Sequence, residues 1–259
     1  MKGFIILGLS VSSVLSAQTD STQIKEIQEV SFTRRLPVSK EIINVQKDLG
    51  SKNLGQDLPI LLKNQMSVVA TSDAGNGVGY TGFRIRGSAG TSINVMLNGV
   101  PYNDSESQGT FFVNIPDMAS SASQIVIQRG VGTSSNGTAS FGASVNILTK
   151  NPDEKPYVLG QFSAGSFNTM KTSFEAGSGK FLNNLLSVSA RYSTINSDGY
   201  IDRAFSKLNS YSINALFEKG NTKIRFLTFG GKEKTYQAWN GIDAATYETN
   251  PKFNYSGAI

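Results

Sequence analysis

Phe83-Arg84-Ile85-Arg86-Gly87 is the stretch whose reading decides the fold. In an extended segment successive side chains point to opposite faces, so Phe83 and Ile85 share one side while Arg84 and Arg86 share the other. Read alone, this is a surface strand with two solvated cations. The neighbouring segments argue for a partly buried setting. Ile93-Asn94-Val95-Met96-Leu97 leads through Asn98-Gly99 into Val100-Pro101-Tyr102, and Asn-Gly tolerates the positive φ values of a two-residue hairpin turn. Gln124 to Gly130 then passes through small residues into Phe141 to Thr149, a second pair of strand-like runs.

Composition narrows the function classes. The 259 residues include 26 glycines and are 39% hydrophobic, which suits a β-rich folded chain better than a disordered one. There is no Cys and no His. That removes the usual zinc sites, thiol nucleophiles, disulfides and every triad built on imidazole, so ordinary hydrolase chemistry is hard to build here. The net charge of +5 is modest, and no basic cluster with interleaved aromatics argues for nucleic acid. Asp104 and Glu106 could be taken for a glycosidase pair, but residues two apart on a loop cannot be assumed to flank a bond, and a solvated turn is the simpler reading. The glycines at 75, 77, 79 and 82 form a loop with no strand-loop-helix unit around it and no Gly-Lys-Ser/Thr at its end, which counts against phosphate binding.

Export is expected from the amino end, where Lys2, the apolar run Phe4 to Leu15 and the small pair Ser16-Ala17 make a leader cut after Ala17. Apolar Leu54, Leu58, Leu61 and Leu62 predict a short helix around residues 57 to 64, with Pro59 near its start. From Tyr157 onward the pattern becomes long and strictly two-periodic. Thr172, Phe174 and Ala176 oppose Lys171, Ser173 and Glu175; Leu186, Val188, Ala190 and Tyr192 oppose Ser187, Ser189, Arg191 and Ser193; Tyr211, Ile213, Ala215 and Phe217 oppose Ser212, Asn214 and Glu218. Turns are expected at residues 166–168, 177–180, 196–199 and 220–221. Membrane barrel strands are apolar outside and polar inside in this way, and soluble β-sandwiches share the alternation.

The order FRIRG, VMLNGVP, IVIQRG, FGASVNILT over residues 83 to 149 resembles the plug domain of TonB-dependent outer-membrane receptors. The resemblance implies an α+β plug domain, a small mixed sheet with short helices, followed by the first antiparallel strands of a large transmembrane β-barrel. It divides the chain into a signal peptide at 1–17, a TonB-box segment and linker at 18–36, the plug at 37–152 and the beginning of the barrel at 153–259. About five barrel strands are expected, against about 8 to 26 in single-chain barrels, so the chain reads as an amino-terminal fragment. The implied location is the outer membrane of a Gram-negative bacterium, in contact with its lipid. No metal, cofactor or enzymatic activity is the expectation that the resemblance carries.

Site residues follow from the same resemblance. The TonB box falls on Ile27, Gln28, Glu29, Val30, Ser31, Phe32 and Thr33, which would pair edge-on with a strand of the periplasmic partner TonB. Arg84, Arg86 and Arg129 are implied plug-to-barrel contacts, with glutamates on barrel strands absent from this fragment as the expected partners and Glu175 and Glu218 as alternatives within this sequence. The outward loops, residues 73–81 and 102–112, offer Asn76, Tyr80, Tyr102, Asn103, Glu106, Gln108 and Phe111 to substrate. A small-molecule ligand such as a ferric siderophore is the implied cargo. From another class, a secreted β-rich carbohydrate-binding or adhesive module remains as the alternative.

Overall fold

The computed structural model describes residues 39–131, 140–236 and 238–255, all within one compact unit, Pro37–Ile259. The leader and the TonB-box segment lie outside the described residues. Seven short strands come first: β1 (Ser39–Asn44), β2 (Val68–Ser72), β3 (Thr81–Ile85), β4 (Ile93–Leu97), β5 (Val100–Pro101), β6 (Ala122–Arg129) and β7 (Ala143–Thr149). Five of them form a mixed sheet in the order β1-β6-β7-β4-β5, in which β4 and β7 run parallel and the other neighbours antiparallel; β2 and β3 form a separate antiparallel pair. Short helices α1 (Leu58–Leu61) and α2 (Met118–Ser121) join them. Ile93, Val95, Ile125, Ile127, Val145 and Ile147 are buried at the centre of the core of this mixed layer. Burying each such side chain contributes about 1.5 to 3 kcal/mol.

A five-stranded antiparallel meander follows: β8 (Pro156–Gly165), β9 (Thr169–Phe181), β10 (Leu186–Ser197), β11 (Ser206–Lys219) and β12 (Thr222–Thr235). Its alternation is the one read from the sequence. Lys171, Ser173, Ser187, Arg191, Ser193, Ser210, Ser212 and Asn214 are buried against the mixed layer, whereas Val158, Phe162, Phe174, Tyr192, Ile224 and Phe226 are exposed on the far face, Phe174 by 62%. Among the described residues no helix is long and apolar enough to cross a membrane, a statement that leaves strands untouched.

Local chemistry sets the turns. Asn98 and Gly99 both take positive φ, 52° and 84°, and close the β4–β5 hairpin as their residue types require. Residues 166–168 and 220–221 are turns as expected. Residues 177–180 are not: they continue β9, and the chain reverses at residues 182–185, where Leu182, Asn183 and Asn184 all have positive φ. The two glycines serve a bulge instead. The β9–β10 register slips between Ser187 and Ser189, Gly179 sits at φ +67°, and the Ser178 hydroxyl accepts the Val188 N–H at 3.0 Å in place of a ladder bond. The turn expected at 196–199 becomes the longer connection between Ser197 and Ser206. Helix α1 is shorter than the predicted 57–64 and leaves Leu54 outside it, exposed.

Candidate functional site between the two sheets

The interface between the mixed layer and the meander is built on one carboxylate. Pro116 and the left-handed backbone of Asp117 (φ 54°, ψ 28°) turn the chain into α2 and point the Asp117 carboxylate at β9 and β10. Period two on those strands places Lys171 and Arg191 on the facing side. Lys171 Nζ donates to Asp117 at 2.6 Å and Arg191 Nη1 at 2.8 Å, and all three side chains are almost wholly removed from solvent. Ser193 Oγ donates to the same carboxylate at 2.7 Å, as does Ser120 Oγ. Lys171 also donates to Ser120 Oγ at 2.8 Å, and Arg191 Nε to Ser121 Oγ at 2.8 Å. Burial pushes the Asp117 carboxyl up, but the charges of Arg191 and Lys171 outweigh it and hold the group below the usual carboxylate range. Two cations against one anion leave the cluster net positive.

Two further clamps flank it. Arg225 Nη2 on β12 donates to Thr149 Oγ1 at 2.6 Å and to the Lys150 carbonyl, which also accepts from Asn214 on β11. At the other end of the meander the Asn76 amide donates to Ser197 Oγ, and the Tyr200 and Ile201 N–H groups donate to the Ala74 carbonyl at 2.9 and 3.2 Å. Among the described residues, a small apolar cluster, Val78, Val113, Ile195 and Leu208, with Tyr80 against it, and the Tyr102–Phe229 ring contact also join the layers. Water can take over most of these hydrogen bonds when the layers separate.

The three arginines singled out in the sequence lie elsewhere. Phe83 and Ile85 point into the core as read, but Arg84 is exposed, and the strand ends at Ile85 so that Arg86, at φ 52°, occupies an exposed turn. Neither is in an ion pair among the described residues. Arg129 is buried, yet its partner is Glu41 on the adjacent strand β1, with the Met66 carbonyl accepting from Nε at 3.0 Å; this contact lies inside the mixed layer. Glu175 accepts from the Tyr157 hydroxyl at 2.6 Å and sits 3.7 Å from Lys150, while Glu218 meets Lys180 and Lys223, so neither contacts the arginines. At the interface that the described residues form, the acid is on the mixed layer and the bases are on the meander.

The expected substrate residues divide into two groups. Asn76 and Tyr80 each meet the meander side, Asn76 at Ser197 and Tyr80 at Trp239, edge-on at 6.1 Å between ring centroids. Tyr102 is half-buried and packs against Phe229 on β12. Asn103 clasps its own loop, its Oδ1 accepting the Val95 N–H at 2.7 Å and its Nδ2 donating to the Ile93 and Gln108 carbonyls. Glu106, Gln108 and Phe111 are exposed. Asp104 caps the turn beside them, and the Ser107 N–H and hydroxyl hold its carboxyl below the usual range. That is the turn geometry, not a catalytic pair.

Comparison with known proteins agrees with this architecture. Residues 33–144 match the family described as TonB-dependent Receptor Plug Domain. No curated protein matches the chain. Among solved structures it is similar to the unliganded ferric citrate transporter FecA (TM-score 0.67, 15% identity, 84% of this chain and 34% of that one). It is also similar to the copper transporter OprC (0.62, 14%, 76% and 32%) and to the ferric yersiniabactin uptake receptor FyuA from Yersinia pestis (0.59, 15%, 76% and 32%). The chain therefore spans about a third of the length of these structures. The mixed layer with its short helices is a TonB-dependent receptor plug domain, matched over residues 33–144 and followed by five antiparallel strands that stand where such receptors begin their barrel wall.

Proposed function

We propose that this chain is the amino-terminal part of an outer-membrane receptor that imports a scarce nutrient, with energy supplied through TonB. The observation that carries this reading is the polar grip of the wall on the plug at Asp117, Lys171 and Arg191. A wide barrel needs a closure, and a closure held by hydrogen bonds and ion pairs can be remodelled in water, whereas one held by an apolar core cannot. The apolar outer face of β8 to β12 suits lipid. In this reading the short turns at residues 182–185 and 220–221 lie at the periplasmic rim, and the 166–168 turn with the longer connections after Ser197 and Thr235 at the outward one.

In this reading residues 1–17 direct export, 18–36 carry the TonB box, 37–152 are the plug and 153–259 begin the wall. Substrate meets the plug at Asn76, Tyr80 and the 102–112 loop, with Trp239 beside Tyr80. A ferric siderophore is the favoured cargo, supported by iron-chelate receptors among the similar structures. Arg84 and Arg86, exposed here, are proposed to meet later parts of the wall. Val30→Pro in the complete receptor tests the coupling: it removes a backbone donor from the box, so uptake should collapse while surface binding of ligand persists. Unchanged uptake would place the coupling segment elsewhere.

A further inference from the structure

Asp57 stands at the N-cap of α1, the place where an Asp ordinarily accepts a backbone N–H of the first helical turn. Its side chain makes no such bond. The carboxyl turns instead toward the glycine-rich loop, where Oδ2 accepts from Thr81 Oγ1 at 3.0 Å, and the Asp57 N–H donates to the Gly77 carbonyl at 2.9 Å. Asp57 is only 3% exposed, and its Oδ1 has no hydrogen-bond partner. A buried, unpaired carboxylate oxygen is costly enough that it calls for a proton or a cation.

Among the described residues of the wall, none supplies a cation there. Gly79 of the same loop lies against Ser206 and Thr235. Glu233, two residues from Thr235, shares its face and pairs across the strands with Leu208, which is buried against the plug. Glu233 Oε2 is likewise buried without a partner. The charged groups acting on Asp57 are therefore Glu233 from the wall and Asp117 from the plug, the latter already engaged by Lys171 and Arg191. Asp57 is in no ion pair among the described residues.

We propose that Asp57 is a buried proton site facing Glu233, and that its proton latches the Asp73–Tyr80 loop to the barrel wall. Protonated, Asp57 can donate from the orphaned oxygen and sits beside Glu233 without repulsion. Ionised, it places a second negative charge in a desolvated pocket and loosens the loop that the Gly77 carbonyl ties to the helix. Burial, helped by the charge of Glu233, outweighs the opposing hydrogen bonds from Thr81 and the Gly79 backbone and raises the Asp57 carboxyl to about 7, which agrees with this geometry. A group raised in this way stabilises the latched loop below its ordinary value of 3.8 and loses that contribution as pH rises toward 7. Outward pH then sets how readily the loop moves.

The test is hydrogen exchange of residues 73–81 in the complete receptor in detergent, compared with Asp57→Asn at each pH so that the intrinsic chemistry cancels. The ratio of wild-type to variant exchange should rise about tenfold per pH unit between about pH 5 and 6.5 and level off above neutrality. Glu233→Gln should move the midpoint down. Infrared spectra of wild-type receptor carrying labelled aspartate give a second reading: one protonated carboxyl should persist to about pH 7, whether or not the variant folds. A flat exchange ratio together with no protonated aspartate at pH 6 would overturn the proposal. So would a ratio that follows added calcium at fixed pH, which would make the site a cation site. Neither readout involves uptake, so its outcome is independent of the transport reading.

Discussion

Replacing Asp117 with Asn keeps the shape of the side chain and removes the one charge that offsets Lys171 and Arg191. Both cations stay buried, because period two on β9 and β10 leaves them no path to solvent except through the plug. An amide can still accept one hydrogen bond, but its NH2 would face a cation. Leaving a buried ion without its partner costs about 3 to 5 kcal/mol, so the undocked population of the plug should rise by about 10²- to 10⁴-fold. Protease access to the plug in outer-membrane preparations measures that population. The same logic predicts rescue: Asp117→Asn combined with Lys171→Met and Arg191→Met removes every unpaired charge, and most of the protection should return, since buried ion pairs replaced by apolar residues cost little. Wild-type protection in the single variant, or no recovery in the triple one, would refute the electrostatic basis of the grip.

The depressed Asp117 carboxyl contributes stability that is present above its ordinary value of 3.8 and is lost only as pH falls below that, through the depressed value. Plug protection should therefore survive acidification to pH 5, and a loss between pH 7 and 5 would contradict the assignment. Gly79→Ala should loosen the Asp73–Tyr80 loop by about 1 to 3 kcal/mol, because φ is +99° and the added methyl would lie 2.7 Å from Ser206 Oγ. Hydrogen exchange of that loop checks it, and wild-type protection would count against the strain.

Much of this architecture was legible because it rests on short-range rules. Asn98-Gly99 can close only a tight hairpin, and the two-residue period of β9 to β11 fixes which side chains face the plug, Lys171 and Arg191 included. What could not be read is which groups meet across the interface. Asp117 follows a proline in a loop and reads as an ordinary turn residue; its role depends on a left-handed backbone and on strands more than fifty residues away. The paired glycines 177 and 179 signal a reversal and a bulge equally well in one dimension, and only the register against β10 separates them. The alternation of Phe83 and Ile85 says that Arg84 avoids the core, and Arg84 is exposed; what Arg84 and Arg86 meet is not written in that period. Asp57 left a signal before Leu58-Pro59, an N-cap position, yet nothing in the sequence says that its carboxyl turns away from the helix.

If the plug must leave the wall for cargo to pass, tying the two together should stop transport. Asn76 and Ser197 have side chains in direct contact across the interface, and the sequence has no native Cys to interfere. Energised uptake should be measured in cells carrying the complete receptor with Asn76→Cys and Ser197→Cys, with disulfide formation quantified by mass spectrometry. Oxidised receptor should bind ligand normally and fail to import it, and reductant should restore import. Full-rate uptake through a quantitatively cross-linked receptor would contradict the proposal that this plug opens by leaving its wall.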